Sequence, residues 1–340
     1  MTSISSSAPP VQIAVGVKSD PIEYRYSFEW LLDLMAEEGA RLLQLGSFFE
    51  LYQLDDSFFA DLRAAAESRG ITIASVFTAH RELGGFFIDD PRWHRVARKN
   101  YERLIDVAAL VGASHCGSNP GAAWRDAPDT KRKGIRVYLD HMKELMHYAH
   151  ARGLQSTPVR PEPVEGRKYD AHARGVQCLL IEPMSCLAEP PTLPDEIAAM
   201  AAELSAYHSA HADTAAVGYC ADTSHGYADA EGRVVYDHVS LFRQTLPWLR
   251  EFHVKNTGHR YESTFGFSPA DRERGIVDLR IFRRLIEDNR AVLPTLILSA
   301  YLEISGPKLG RDYSDPRLDA MLRESLRHVQ SVFVDAPQEK

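Results

Sequence analysis

Residues 41–80 read RLLQLGSFFELYQLDDSFFADLRAAAESRGITIASVFTAH. An apolar run from Arg41 gives way to the amphipathic stretch DDSFFADLRAAAESRG, which closes at Gly70, and ITIASVFTAH follows, ending at His80. Near-continuous apolar runs are what the strands of a parallel sheet need when helices cover both its faces. A glycine directly after a helical period takes the left-handed conformation that ends a helix at little cost. The segment predicts strand, helix, strand, which is the repeating unit of a parallel α/β fold.

The same alternation extends in both directions. Upstream lie the strand VQIAVGV (Val11 to Val17) and a helix closing at Gly39. Downstream come a helix from about Asp90 to Gly112, the short strand ASHCGSN ending near Asn119, and a helix from Thr130 to Gly153. The second half gives VQCLLIEP from Val176, a helix between Pro194 and Ala212, AAVGYCADTSH, and a helix from Asp237 to Leu249. Then follow EFHVKN, the helix DLRIFRRLIEDN, the strand TLILSAYL, and a last helix from about Asp315 to Phe333. Eight strand–helix units predict an α/β fold, a single-domain (β/α)8 TIM barrel over residues 11–335, with a loose tail over 1–10. A doubly wound open sheet is the alternative. It usually carries a glycine-rich phosphate loop after its first strand, and VGVKSDP is not one.

Residues 154–175, LQSTPVRPEPVEGRKYDAHARG, break the rhythm between the fourth helix and the fifth strand. Helix-to-strand loops usually run about 2–6 residues. This one is long, polar and proline-containing, and its core resembles the translated product of a mobile palindromic repeat. It is expected to be a flexible, dispensable insertion at the barrel face opposite the strand C-termini.

The chain has 340 residues, 44% hydrophobic and 25% charged, with a net charge of -8. No basic footprint points to nucleic acid, and no apolar run approaches the ~18 residues a membrane span requires. The four cysteines form no CxxC pair and read as reduced thiols of a cytoplasmic protein. The polar start lacks a secretion signal. Nothing in the sequence fixes the oligomeric state, and a homo-oligomer is possible.

In a barrel the reactive groups sit at the C-terminal strand ends. Strand five ends in Glu182, strand six in Asp222 and His225, and strand seven carries His253 and Lys255 on one face by period two. A carboxylate directly after a buried strand cannot stay unpaired. Carboxylate oxygens with one imidazole suit a divalent ion such as Mn, Co, Zn or Mg. Other strand-end groups are Glu50, His80 and Arg81, Asn119, Lys255, and His259 or Arg260, of which His80, Asn119 and Lys255 are the candidates for binding a substrate.

Glu182 in IEPM, Asp222 and His225 in DTSH, and His253 in HVKN resemble the metal-site pattern of the xylose-isomerase-like barrels, the sugar phosphate isomerase/epimerase superfamily. RGIVDLRIFRRLIED resembles that family's Gly-x-x-Asp segment. The resemblance implies Glu182, Asp222 and His253 as metal ligands, with His225 contacting substrate. In the family's epimerases a glutamate ending strand eight, directly after an apolar triplet, is the fourth ligand and an acid/base group. Here LIL is followed by Ser299, and the next acid is Glu303, roughly 13 Å from it if extended. Either the strand brings Glu303 back or the site lacks this ligand.

The activity implied is isomerisation or epimerisation of a small sugar or hydroxy-carbonyl compound, with Glu182, His225 and Glu303 as catalytic candidates. The rivals are a lyase or dehydratase on a keto-sugar, an AP-endonuclease-like nuclease, and a non-catalytic sugar-binding subunit. Loss of the strand-eight glutamate would favour the lyase.

Overall fold

A computed structural model describes residues 9–20, 26–47, 49–155, 176–304 and 317–334. The barrel strands are β1 (Gln12–Lys18), β2 (Leu42–Leu45), β3 (Thr72–Thr78), β4 (His115–Ser118), β5 (Cys178–Ile181), β6 (Ala216–Asp222), β7 (Leu249–Val254) and β8 (Ile297–Leu302). They close in the order β1-β8-β7-β6-β5-β4-β3-β2, every pair parallel. The expected (β/α)8 architecture is therefore the observed one. Two short antiparallel pairs are additional: Tyr227–Ala228 with Val234–Tyr236, and Asn256–Thr257 with Thr264–Phe265.

The helices are α1 (Phe28–Glu37), α2 (Phe49–Gln53), α3 (Asp56–Glu67), α4 (Pro91–Val111), α5 (Lys131–Gln155), α6 (Pro194–Ala210), α7 (His238–Thr245), α8 (Pro269–Arg274), α9 (Leu279–Asp288) and α10 (Arg317–Phe333). Their starts are chemically marked. The Asp90 carboxylate accepts from the Arg92 amide at 2.8 Å, with Pro91 in the first helical position, where its missing N–H costs nothing. Asp278, in the Gly-x-x-Asp segment, caps α9 by accepting from the Arg280 amide at 3.0 Å. Gly39, Gly70 and Gly112 have the left-handed backbone expected of helix ends, with φ of 72°, 68° and 79°. Gly153 differs, because α5 continues through it to Gln155. Most of the expected insertion, residues 156–175, lies outside the described residues.

Strand alternation creates two cores. Outward side chains such as Leu179, Ile181, Tyr219 and Phe252 join the large cluster beneath the helices, where Phe252 meets Phe242 and Phe333 edge-on at 5.6 and 5.5 Å. Inward side chains form a small apolar layer of Phe77, Cys178, Leu180 and Cys220. On β5 this puts Cys178 and Leu180 inside, so Glu182 also points inward. On β7 the outward Phe252 leaves Glu251, His253 and Lys255 facing the lumen. The interior thus mixes this apolar layer with buried Gln44, Ser75 and Glu251 at similar height, and becomes fully charged at the strand C-termini.

Candidate metal centre

Glu182, Asp222, His253 and Glu303 follow or end four successive strands, β5 to β8. One potential ligand atom from each lies within 4.8 Å of the other three. Register explains the convergence. Asp222 is the direct partner of His253 across the β6–β7 ladder, and Tyr301 is the partner of His253 across β7–β8. The Glu303 amide donates to the Val254 carbonyl at 3.3 Å, so Glu303 emerges just above the ladder.

The apolar triplet before this glutamate is Ala300-Tyr301-Leu302, not the LIL run. Ser299 pairs with Glu251, two residues below His253. The roughly 13 Å expected between Ser299 and Glu303 has no bearing on the site, because the strand runs on to Leu302 and Glu303 itself follows its end.

His253 is wholly buried, Asp222 is 3% exposed and Glu182 is 6% exposed. His253 Nδ1 lies 2.9 Å from Glu182 Oε1 and 3.0 Å from Glu303 Oε2. Lys255 Nζ lies 2.7 Å from Asp222 Oδ2 and 3.1 Å from Glu303 Oε2. Lys18, from the end of β1, lies 3.3 Å from Glu303 Oε1 and 2.8 Å from Asp20 Oδ2. Burial works against the charge on each group, and the opposite charges around it prevail. The pKa values of Glu182 and Asp222 are lowered, and that of Glu303 falls well below the usual carboxylate range. Those of Lys18, Lys255 and His253 rise. Asp20 is the exception, since burial outweighs Lys18 and pushes its carboxyl upward.

These residues fit a divalent cation. One imidazole N–H faces two carboxylates and can be donated fully to only one. Asp222 Oδ2 and Glu303 Oε2 receive no well-directed hydrogen bond among the described residues, although buried acceptors normally do. Asp222 Oδ1, by contrast, is held by the Ser224 amide and hydroxyl, both at 2.7 Å. One carboxylate oxygen is thereby anchored, and the other is left aimed into the cluster. Three carboxylates and an imidazole are also a donor set that suits Mn, Zn, Co or Mg.

The other expected residues are placed as follows. The His225 Nδ1–H donates to the Pro183 carbonyl at 2.7 Å, which leaves Nε2 facing Asp222 Oδ2 at 3.5 Å. His80 and Asn119 form a pair of their own, with Asn119 Nδ2 donating to His80 Nδ1 at 2.7 Å. Glu50 sits on α2, bonded to Ser47. Arg81, His259 and Arg260 are exposed. The sequence reading missed Lys18, Asp20, Gln44 and Glu251. A signal existed for two of them: Lys18 ends an apolar strand, and Glu251 precedes His253 by two residues.

The sequence pattern of the xylose isomerase-like TIM barrel family matches residues 32–298. This chain belongs to that family. A Rhodospirillum rubrum protein named after xylose isomerase superposes with a TM-score of 0.68 at 17% identity, covering 94% of this chain and 99% of that one. The D-psicose 3-epimerase of Clostridium cellulolyticum H10 gives 0.61 at 15%, with coverage of 94% and 99%. IolI, solved with a bound zinc atom, gives 0.61 at 13%, with coverage of 96% and 99%. At these identities the xylose isomerase-like fold is what is shared. No curated protein matches the sequence. Among the described residues, no helix is long and apolar enough to cross a membrane.

Proposed function

We propose that the protein is a divalent-metal-dependent isomerase or epimerase acting on a small sugar or related hydroxy-carbonyl compound. The carrying observation is the meeting of Glu182, Asp222, His253 and Glu303 at one mouth of the barrel, with one oxygen each of Asp222 and Glu303 turned into the cluster and met there by ion pairing without a well-directed hydrogen bond. Those four residues would hold the ion, which supplies Lewis-acid polarisation of a carbonyl and neutralises the developing enediolate charge.

The chain's own groups handle the proton. Glu182 takes the proton from the carbon next to the carbonyl, and the C–H electron pair moves into the enediolate. A proton returned to either carbon by Glu303 or His225 completes the transfer. Glu182 and Glu303 stand at opposite ends of the four-strand arc, so a substrate between them meets a carboxylate from each side. Lys255 and Lys18 hold Glu303 ionised, so it would take the proton when the reaction runs from the opposite side, and must be protonated before it can return one. His80 and Asn119, paired beside the ends of β3 and β4, would bind substrate hydroxyls.

With Glu303 inside the cluster, the argument for a lyase from a missing strand-eight glutamate falls away. The deciding experiment is to strip the protein of metal, reload it with Mn, Co, Zn or Mg, and screen ketoses by mass and NMR. Products of unchanged mass support the reading, and loss of water points to a dehydratase. Glu182→Gln should reduce kcat by at least about 1000-fold, within the range typical of an essential proton-transfer group. Normal turnover in that variant would refute the assignment.

A further inference from the structure

Below the ligand cluster lies a second buried polar group that the proposed reaction does not use. Glu251 on β7 is wholly buried inside the barrel. Its Oε1 accepts from Gln44 Nε2 at 2.6 Å and from the Ser75 hydroxyl at 2.8 Å, and its Oε2 faces His115 Nδ1 at 3.3 Å. Gln44 on β2 is also wholly buried. It reaches across the lumen, and its Oε1 meets His253 Nε2 at 2.8 Å. Gln44, Ser75, Glu251 and His253 thus form one chain of hydrogen bonds across strands β2, β3 and β7.

The chemistry of this chain is directional. A carboxylate only accepts, so Glu251 requires the amide group of Gln44 to point toward it. The Gln44 oxygen then points at His253 and can only accept. With a cation held on the Nδ1 side by Glu182 and Glu303, the proton of a neutral His253 ring would therefore sit on Nε2 and leave the Nδ1 lone pair for the ion. Ligating histidines are commonly oriented by a partner on the far ring nitrogen.

We propose that Gln44 and Glu251 are positioning residues that fix the tautomer and ring plane of His253, so that Nδ1 is presented as a metal ligand. This rests on the metal-centre reading above. The arrangement also gives Glu251 a role deep inside the barrel: a Gln44 amide free to turn over would present an N–H to His253 Nε2 and favour the wrong tautomer.

The test uses zinc alone, titrated calorimetrically into the chelator-stripped full-length protein. Gln44→Met should weaken zinc binding by about 10- to 100-fold, the usual effect of removing such a partner. The exchanged pair Gln44→Glu with Glu251→Gln keeps an acceptor for His253 and a donor for that acceptor. It should recover affinity to within about threefold of wild type, which a general loss of packing would not allow. Independently of any variant, a long-range 1H–15N spectrum of the zinc-loaded wild type should place the His253 ring proton on Nε2. A ring proton on Nδ1, or a folded Gln44→Met that binds zinc like wild type, overturns the inference while leaving the metal centre standing. A wild type that takes up no zinc, manganese, cobalt or magnesium overturns both.

Discussion

Lys255 is the counter-ion of two proposed ligand carboxylates, and Lys255→Met separates its role from theirs. The ammonium stands 2.7 Å from Asp222 Oδ2 and 3.1 Å from Glu303 Oε2, and the Lys255 and Asp222 side chains are 10% and 0% exposed. Solvent therefore does little to screen the pair. Removing one partner of a buried pair costs about 3–5 kcal/mol. Lys18 still faces Glu303, and His225 and His253 remain nearby, so the lower end, about 3 kcal/mol, applies. At roughly 2 °C per kcal/mol for a chain of this size, the metal-free variant should melt about 6 °C below metal-free wild type.

A divalent ion reverses the balance. At 100 times its Kd it contributes about 2.7 kcal/mol to wild type. In the variant it meets the same carboxylates without a competing ammonium, so it should bind about 15-fold more tightly and add about 1.6 kcal/mol beyond its effect on wild type. The melting gap measured by calorimetry should then close by half or more when zinc or manganese is added. An unchanged gap with and without metal, or weaker metal binding in Lys255→Met, would refute the claim that lysine and metal neutralise the same charges.

A Cβ at Gly117 would lie 2.2 Å from the Leu180 carbonyl oxygen, inside the β4–β5 ladder. Gly117→Ala should cost about 2–3 kcal/mol in urea unfolding, and a wild-type midpoint would contradict the strand spacing. Glu38 joins α1 to α10 through Arg323 and Arg327, with Arg327 lowering its pKa most through hydrogen bonds of 2.7 and 2.6 Å. Because the folded carboxyl is the stronger acid, its contribution is complete above the unfolded value of about 4.3 and is lost as pH falls through the folded value. Glu38→Gln should thus lose about 1 kcal/mol at pH 7, and the difference should fade below pH ~4; a constant difference across that range would be evidence against the carboxylate's role. α5 ends at Gln155 and β5 begins at Cys178, and that junction is at the barrel face opposite the ligand cluster. Replacing residues 157–174 with a short Gly/Ser linker should leave zinc affinity within about twofold, and an order-of-magnitude loss on titration would rule out dispensability.

The eight strands, their buried character and three of the helix-closing glycines were legible in the chain because each rests on local periodicity or on one residue's backbone preference. Glu182, Asp222 and His253 were legible for a related reason. Each is a ligand-type residue directly after, or at the end of, an apolar run, and a barrel sends such ends to one mouth. Gly153 was misread because helix propagation by its neighbours outweighed a single glycine.

Only the tertiary structure decided the rest. Ser299 and Glu303 share a strand face, and sequence spacing cannot say which stands level with His253; the β7–β8 ladder does. Lys18, Gln44 and Glu251 reach the centre from strands far apart in sequence, across a lumen whose geometry exists only once the sheet has closed. Periodicity assigns a side chain to a face, whereas inter-strand register and barrel closure determine which faces meet and at what height.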